Sequence, residues 1–452
     1  MIVKTIHEIT NMMHASVHGD IDDTKKIHGV VIDSRQVTKD VLYVPIIGQR
    51  VDGHTFAKQT IEDGALISLW QKDHVPYPDF PVILVDDTLK AMQDLSKAYL
   101  DELHPLVIGV TGSNGKTSCK DMLYSIFSQE KRTQKTLGNR NSEIGLPLTI
   151  FDFDEDIEVA ILEMGMENKG EITQLTSIAQ PDISVITSIG SAHMENLGGK
   201  LQIAQAKCEI LEGTKENGLF LYNYESKEIQ AVLPTLDTEN KKVVSFGKGG
   251  DVSITSDIEY DKEGIVFNCN ILDAPVHLRA FGEFQAMNAL PCIYIAKACH
   301  LKEESILNGL KNLEMTKMRT QLIPVKNAYI LDDTYKSNPE SAKAAIDTLM
   351  ELSARKHIAI LSDMLDLGSE EKQMHYDVGV YAKEKGVDEL YCTGPLSKET
   401  AEGFNGKWYE TKDEIYEACK PLLEEDCVIM IKGSRAMQMD TLVDAFRGKN
   451  NE

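Results

Sequence analysis

The run Thr111-Gly112-Ser113-Asn114-Gly115-Lys116-Thr117 combines the groups needed to grip a polyphosphate. Its glycines let the backbone curl until successive N–H groups face one anion. Lys116 adds an ammonium, and Thr117 and Ser118 add hydroxyls. The apolar stretch Leu106-Val107-Ile108-Gly109-Val110 precedes the run and a helical pattern follows it. That order, strand then loop then helix, is the setting of a phosphate loop, in which the helix N-terminus supplies positive potential. There Lys116 reaches the β- and γ-phosphates of ATP and Thr117 ligates Mg²⁺. The usual spacing G-x-x-x-x-G-K-[ST] fails at its first glycine, where Val110 stands, so the loop is a variant. The competing reading is a glycine-rich turn with an exposed lysine.

Positioning such a loop requires a sheet. Short apolar runs at 159–162, 183–186 and 219–222 alternate with helical segments, the pattern of βαβ units and a parallel sheet. Glu163 ends one of these strands, where ligands collect in open α/β sheets. His193 follows another, and Lys207 lies on a helical stretch. On residue type alone they read as a surface glutamate, a loop histidine and a solvated lysine. Residues 243–281 look like antiparallel strands, with helices near 284–298 and 304–313. Before the loop, short strands at 30–32, 41–44 and 82–85 and a helix at 89–100 lead to a boundary near 101–105. After a second boundary near 314–319, strands at 329–331, 357–361, 389–392 and 428–431 alternate with helices. The expectation is an α/β chain of three domains: a small α/β domain at 1–102, a phosphate-loop parallel-sheet domain at 103–314, and a doubly wound, Rossmann-like domain at 315–452.

Composition narrows the partners. With 71 acidic and 47 basic residues the chain carries a net charge of −24, which repels nucleic-acid backbones and anionic membranes. Any phosphate must be held by local amides, metal ions and a few placed cations. The eight cysteines include no C-x-x-C pair, which speaks against a zinc or thioredoxin-like site. The first residues lack a signal peptide's apolar core, and no run approaches the roughly 20 apolar residues of a membrane span. A cytoplasmic monomer is expected.

The loop resembles that of the Mur ligase family, which includes the folylpolyglutamate synthases, and further motifs agree in order along nearly the whole chain. Asp33-Ser34-Arg35 with Asp52-Gly53-His54-Thr55-Phe56 is similar to the family's uridine-binding N-terminal domain. Asn139-Arg140-Asn141-Ser142-Glu143-Ile144-Gly145-Leu146-Pro147 looks like its central substrate loop. Glu163, His193 and Lys207 fall where the family places metal ligands, the lysine as a CO₂-derived carbamate. Asp332-Asp333-Thr334-Tyr335-Lys336-Ser337-Asn338-Pro339 and Lys432-Gly433-Ser434-Arg435-Ala436-Met437 are similar to the branch that adds D-alanyl-D-alanine.

The resemblance implies an ATP-dependent amide ligase. It would phosphorylate the carboxylate of a UDP-N-acetylmuramoyl-tripeptide and pass the acyl group to D-alanyl-D-alanine. Gly112 through Ser118 would bind ATP, Asn288 its adenine and Asp333 its ribose, while Arg319 reaches the γ-phosphate from the C-terminal domain. Thr117, Glu163, His193 and carbamylated Lys207 would hold Mg²⁺. Ser34, Arg35, Asn139, Asn141, Tyr335 and Asn338 would contact substrates. Lys432, Ser434 and Arg435 form an expected anion site for the dipeptide carboxylate, with Ser434 as a helix N-cap. Ligands from two domains imply closure of a hinge. Two departures stand out: the family's G-x-H-N-x-x-N reads Gly282-Glu283-Phe284-Gln285-Ala286-Met287-Asn288, and its Tyr-Asn-Ala-Asn-Pro reads Tyr335-Lys336-Ser337-Asn338-Pro339. A ligase adding another amino acid, a folylpolyglutamate synthase and a non-catalytic nucleotide-binding scaffold are the alternatives.

Overall fold

The computed structural model of the chain describes residues 1–448. Its centre is a parallel sheet in the spatial order Lys242–Phe246, Leu219–Asn223, Ile183–Ile186, Leu106–Thr111, Val159–Glu163, Thr133–Lys135. The middle strands are apolar throughout because helices cover both faces, and Val159–Glu163 and Ile183–Ile186 are buried at every residue. Strand order reverses about Leu106–Thr111: earlier partners lie on one side of it and later ones on the other. Glu163 is in register with Val110, and Ile186 with Thr111. Three carboxyl ends therefore finish side by side at a topological switch point, where such sheets bind ligands.

One face of this sheet packs on the helices Lys116–Phe127, Glu283–Ala298 and Glu303–Lys311. The other shares a continuous apolar core with the N-terminal unit, running from Ile2 and Ile6 through Leu95 and Tyr99 to Ile150 and Leu175. That unit contains a five-stranded sheet and the helix Thr88–Leu103, which Asp87 caps by accepting from the Lys90 N–H at 2.8 Å. The helix ends at His104 in the left-handed region, one residue before Pro105.

The antiparallel expectation for 243–281 is half corrected. Lys242–Phe246 extends the central sheet, parallel to Leu219–Asn223, and only Glu259–Tyr260, Ile265–Phe267 and Val276–Leu278 form an antiparallel sheet. A crossover through the helix Lys227–Val232 supplies the parallel partner, which local alternation does not report.

The C-terminal sheet has the order Gln321–Val325, Ala328–Asp333, Cys427–Lys432, Lys356–Ser362, Glu389–Thr393, Lys407–Tyr409. Only the first strand is antiparallel, joined to the second by a turn at Lys326-Asn327. Apolar cores cover both faces. Asp333 is in register with Lys432, so both arrive at the edge facing the phosphate loop. Among the described residues no helix is long and apolar enough to cross a membrane.

Candidate active site

The loop after Leu106–Thr111 takes a shape open only to glycine at two positions. Gly112 has φ +149° and Gly115 φ +86°. A β-carbon would strike the Thr187 hydroxyl at the first and the Asn288 carboxamide at the second. The neighbouring strand's exit braces the loop from outside. The Ser113 N–H donates to the Ser188 carbonyl at 2.8 Å, the Asn114 N–H donates to Ser188 Oγ at 2.9 Å, and Thr187 Oγ1 donates to the Asn114 carbonyl at 2.5 Å. Lys116 folds over its own loop, with Nζ 2.6 Å from the Gly112 carbonyl and 3.4 Å from that of Ser113. Burial, then the charges of Lys336 and Arg319, push its ammonium down to about 8 against the pull of Glu163.

Glu163 is buried at its strand end and fully engaged. Thr117 Oγ1 donates to Oε2 at 3.0 Å, Asn141 Nδ2 donates to Oε1 at 2.9 Å, and Lys120 Nζ lies 3.6 Å away. Arg319 reaches across from the C-terminal unit and donates from Nη2 to Thr117 Oγ1 at 3.1 Å. Its guanidinium lies 4.2 Å from the centre of the Tyr335 ring, and its buried Nε has no partner among the described residues. The paired hydroxyl and carboxylate of Thr117 and Glu163 are hard oxygen donors beside the loop, a set that fits Mg²⁺ completed by phosphate oxygens and water.

Around this carboxylate the structure gathers an excess of basic side chains. Lys207 is 1 % exposed. Burial first, then the charges of Lys116 and Lys336, hold its amine well below the usual lysine range. His193 has a left-handed backbone, φ +64°, and its Nε2 lies 3.1 Å from Lys336 Nζ. Burial together with Lys336, Lys207 and Lys116 pushes this imidazole down to about 3, so it is neutral. Charges of one sign in a buried space require counter-ions, and phosphate groups supply them.

A cleft of about 230 Å³ runs from the loop between the two units, lined by Ser113 to Ser118, Phe284, Gln285, Arg319, Asp333 and Lys336 among others. Asn288 packs against Gly115 and donates to Gln285 Oε1 at 3.2 Å. Phe284 and Gln285 thus present an aromatic ring and an amide on this wall. Asp333 accepts from the Thr320 N–H at 3.2 Å and pairs with Lys432 Nζ at 2.5 Å. Asn338 pairs with Asn114 through both carboxamides, at 2.9 and 3.3 Å.

Other candidates lie apart or are already engaged. Ser434 does not cap a helix with its side chain: the turn after it spans only Arg435–Met437, and its hydroxyl instead accepts from the Leu365 N–H at 3.0 Å. Lys432 is buried against Asp333 and the Lys336 carbonyl, and Arg435 pairs with Asp440 at 2.8 Å. Ser34 and Arg35 form a short turn in the N-terminal unit, where exposed Arg35 pairs with Asp33 at 2.7 Å. Asn139 is exposed on the loop that carries Asn141 inward.

Three family models match consecutive parts of the chain: the Mur ligase family catalytic domain at 26–100, the Mur ligase middle domain at 110–296 and the Mur ligase glutamate ligase domain at 318–435. The UDP-N-acetylmuramoyl-tripeptide–D-alanyl-D-alanine ligase of Bacillus subtilis (strain 168) is 36% identical over 454 residues, 98% of each chain. The chain belongs to the Mur ligase family. Solved structures agree on the arrangement of this Mur ligase. MurF from Acinetobacter baumannii superposes with a TM-score of 0.91 at 26% identity, covering 99% of this chain and 100% of its own. A MurF ligase from Thermotoga maritima in complex with ADP gives 0.84 at 26% identity, covering 93% and 97%.

Several residues of this Mur ligase's cleft escape sequence reasoning. Thr187 and Ser188 brace the loop, Lys120 flanks Glu163, and Lys336 touches His193. Glu340 accepts from the Ser191 N–H at 3.1 Å and its hydroxyl at 2.8 Å, and pairs with Lys200 at 2.8 Å. Strand register could have pointed to 187–188, and Lys336 sits at a departure from the family motif. Nothing local marks Lys120 or Glu340.

Proposed function

We propose that this Mur ligase joins D-alanyl-D-alanine to UDP-N-acetylmuramoyl-tripeptide at the expense of ATP, giving the pentapeptide, ADP and phosphate, as a cytoplasmic monomer with domains at 1–102, 103–314 and 315–452. The observation that carries this reading is Arg319 of the C-terminal unit donating to Thr117 of the phosphate loop, in a chain similar over its whole length to ligases of that name. Lys116 exchanges its loop carbonyls for the β- and γ-phosphates, and the loop amides Gly112 to Ser118 hold the rest of the triphosphate. Arg319, with its spare Nε donor, takes the γ-phosphoryl group bidentately. Asp333 accepts from the ribose, and Asn288 with Phe284 and Gln285 holds the adenine. Thr117 and Glu163 would hold Mg²⁺, which would supply charge neutralisation at the phosphates.

The substrate carboxylate attacks the γ-phosphorus and ADP leaves. The dipeptide amine then attacks the acyl carbon, and phosphate departs from the tetrahedral intermediate. Closure excludes water from the acyl phosphate. Ser34 and Arg35 bind the uridine end, and Asn139 and Asn141 the peptide end. Tyr335, Asn338, Lys432, Ser434 and Arg435 border the dipeptide, whose carboxylate takes the place of Asp440 on the exposed Arg435. Lys207, whose buried amine is held below the usual lysine range, adds to CO₂ in its unprotonated form, forming an N–C bond and losing a proton to solvent. The resulting carbamate, with Glu163 and His193, sets the charge of the site.

The test is phosphate release from ATP, required to depend on both the tripeptide nucleotide and D-alanyl-D-alanine. Lys116→Ala should lower it by at least about 10³-fold with the fold retained. Release with neither acceptor, or with a folate acceptor instead, would favour the other readings.

A further inference from the structure

The C-terminal unit inserts one side chain straight into the central unit's cluster. Lys336 Nζ lies 3.1 Å from His193 Nε2. Its backbone is anchored: the Lys336 carbonyl accepts from Lys432 Nζ at 2.8 Å, and Lys432 is tied to Asp333 at 2.5 Å. The amine is therefore aimed from the end of a strand. An imidazole nitrogen without a hydrogen carries one lone pair. The Lys336 amine is within hydrogen-bond distance of this nitrogen, and whichever partner holds the shared hydrogen, no lone pair on it is left free for a divalent ion. Like charges at such distances also repel strongly in a buried space.

We propose that Lys336 takes the place of a divalent ion at His193, so that the chain works with one Mg²⁺, at Thr117 and Glu163, and a protein cation beside it. This rests on the nucleotide-dependent reading above. Lys336 is a positioning residue acting through His193. Because it belongs to the C-terminal unit, this cation enters as the units close and leaves as they open, whereas a metal ion would stay behind on the central unit.

The experiment counts Mn²⁺ bound to the full chain by electron paramagnetic resonance in the presence of a non-hydrolysable ATP analogue. The unaltered chain should hold about one ion and Lys336→Met about two, the additional ion vanishing when His193→Ala is added. His193→Ala alone should leave the count unchanged, a comparison that needs no change at 336 should Lys336→Met fail to fold. Two ions on the unaltered chain, or loss of one on His193→Ala alone, overturns the inference. An equal count in a folded Lys336→Met does the same. Failure of the analogue to bind at all overturns the nucleotide reading instead.

Discussion

His193 and Lys207 are both shifted downward by the same cause, burial among lysines, and this bears on how each should respond to pH and to CO₂. His193 titrates near 6.5 when unfolded and at about 3 in the folded chain. Between those values the unfolded state binds more protons, so stability falls as pH drops from 6.5 toward 3. His193→Asn removes this term. Its urea midpoint should fall less steeply than that of the unaltered chain between about pH 6.5 and 5, where few carboxylates titrate; parallel slopes would refute the neutral imidazole. Lys207 is buried beside Lys116 and Lys336, which favours the unprotonated amine that can add CO₂. Turnover should therefore fall in bicarbonate-depleted buffer and recover on adding bicarbonate, while Lys207→Ala, assayed alongside, should not respond. The positions of Thr117 and Glu163, after a loop and at a strand end, were legible in the sequence because both features are local, and the structure brings the two side chains together. Lys336 and Glu340 were not legible, since their partners lie 143 and 149 residues away. The anion site expected at Lys432, Ser434 and Arg435 looked free only because Asp333, Leu365 and Asp440 are invisible from that motif.

Among the elements, the helix Pro339–Glu351 carries two duties on one residue. Asn338 caps it reciprocally with Ser341 and also pairs with Asn114 across the cleft. The duties can be separated. Asn338→Ala should lose about 1 kcal/mol of cap energy, whereas Ser caps about as well as Asn and Asn338→Ser should melt near the unaltered temperature. Both variants lose the paired amides, so both should raise KM for ATP, by about 5-fold or more. Calorimetry with initial rates checks this, and an unchanged KM in Asn338→Ser would show the amide pair to be idle. The buried central strands were readable because two covered faces turn them into apolar runs. Lys242–Phe246 was assigned to the wrong kind of sheet because its partner is set by a crossover rather than by its own alternation.

Across the whole molecule, the central and C-terminal units meet through polar groups at the cleft. Arg319 touches Thr117, Asn338 pairs with Asn114, and Glu340 binds Ser191. Thr316 in the connection donates its N–H and hydroxyl to Asp121 at 2.9 and 2.7 Å. Such contacts exchange readily with water; away from the cleft Phe281 and Tyr260 also pack into the C-terminal unit's apolar core, a smaller seam than the one that joins the N-terminal unit to the central one. The N-terminal unit and the phosphate loop thus share one continuous apolar core, whereas the C-terminal unit meets the loop through polar groups. The partners of the phosphate loop lie some 200 residues further along the chain. The short connection is thus a tether that holds one half of a reaction vessel at high effective concentration over the other. Severed there, the halves would have to meet by diffusion, and a gate now indifferent to dilution would begin to obey mass action.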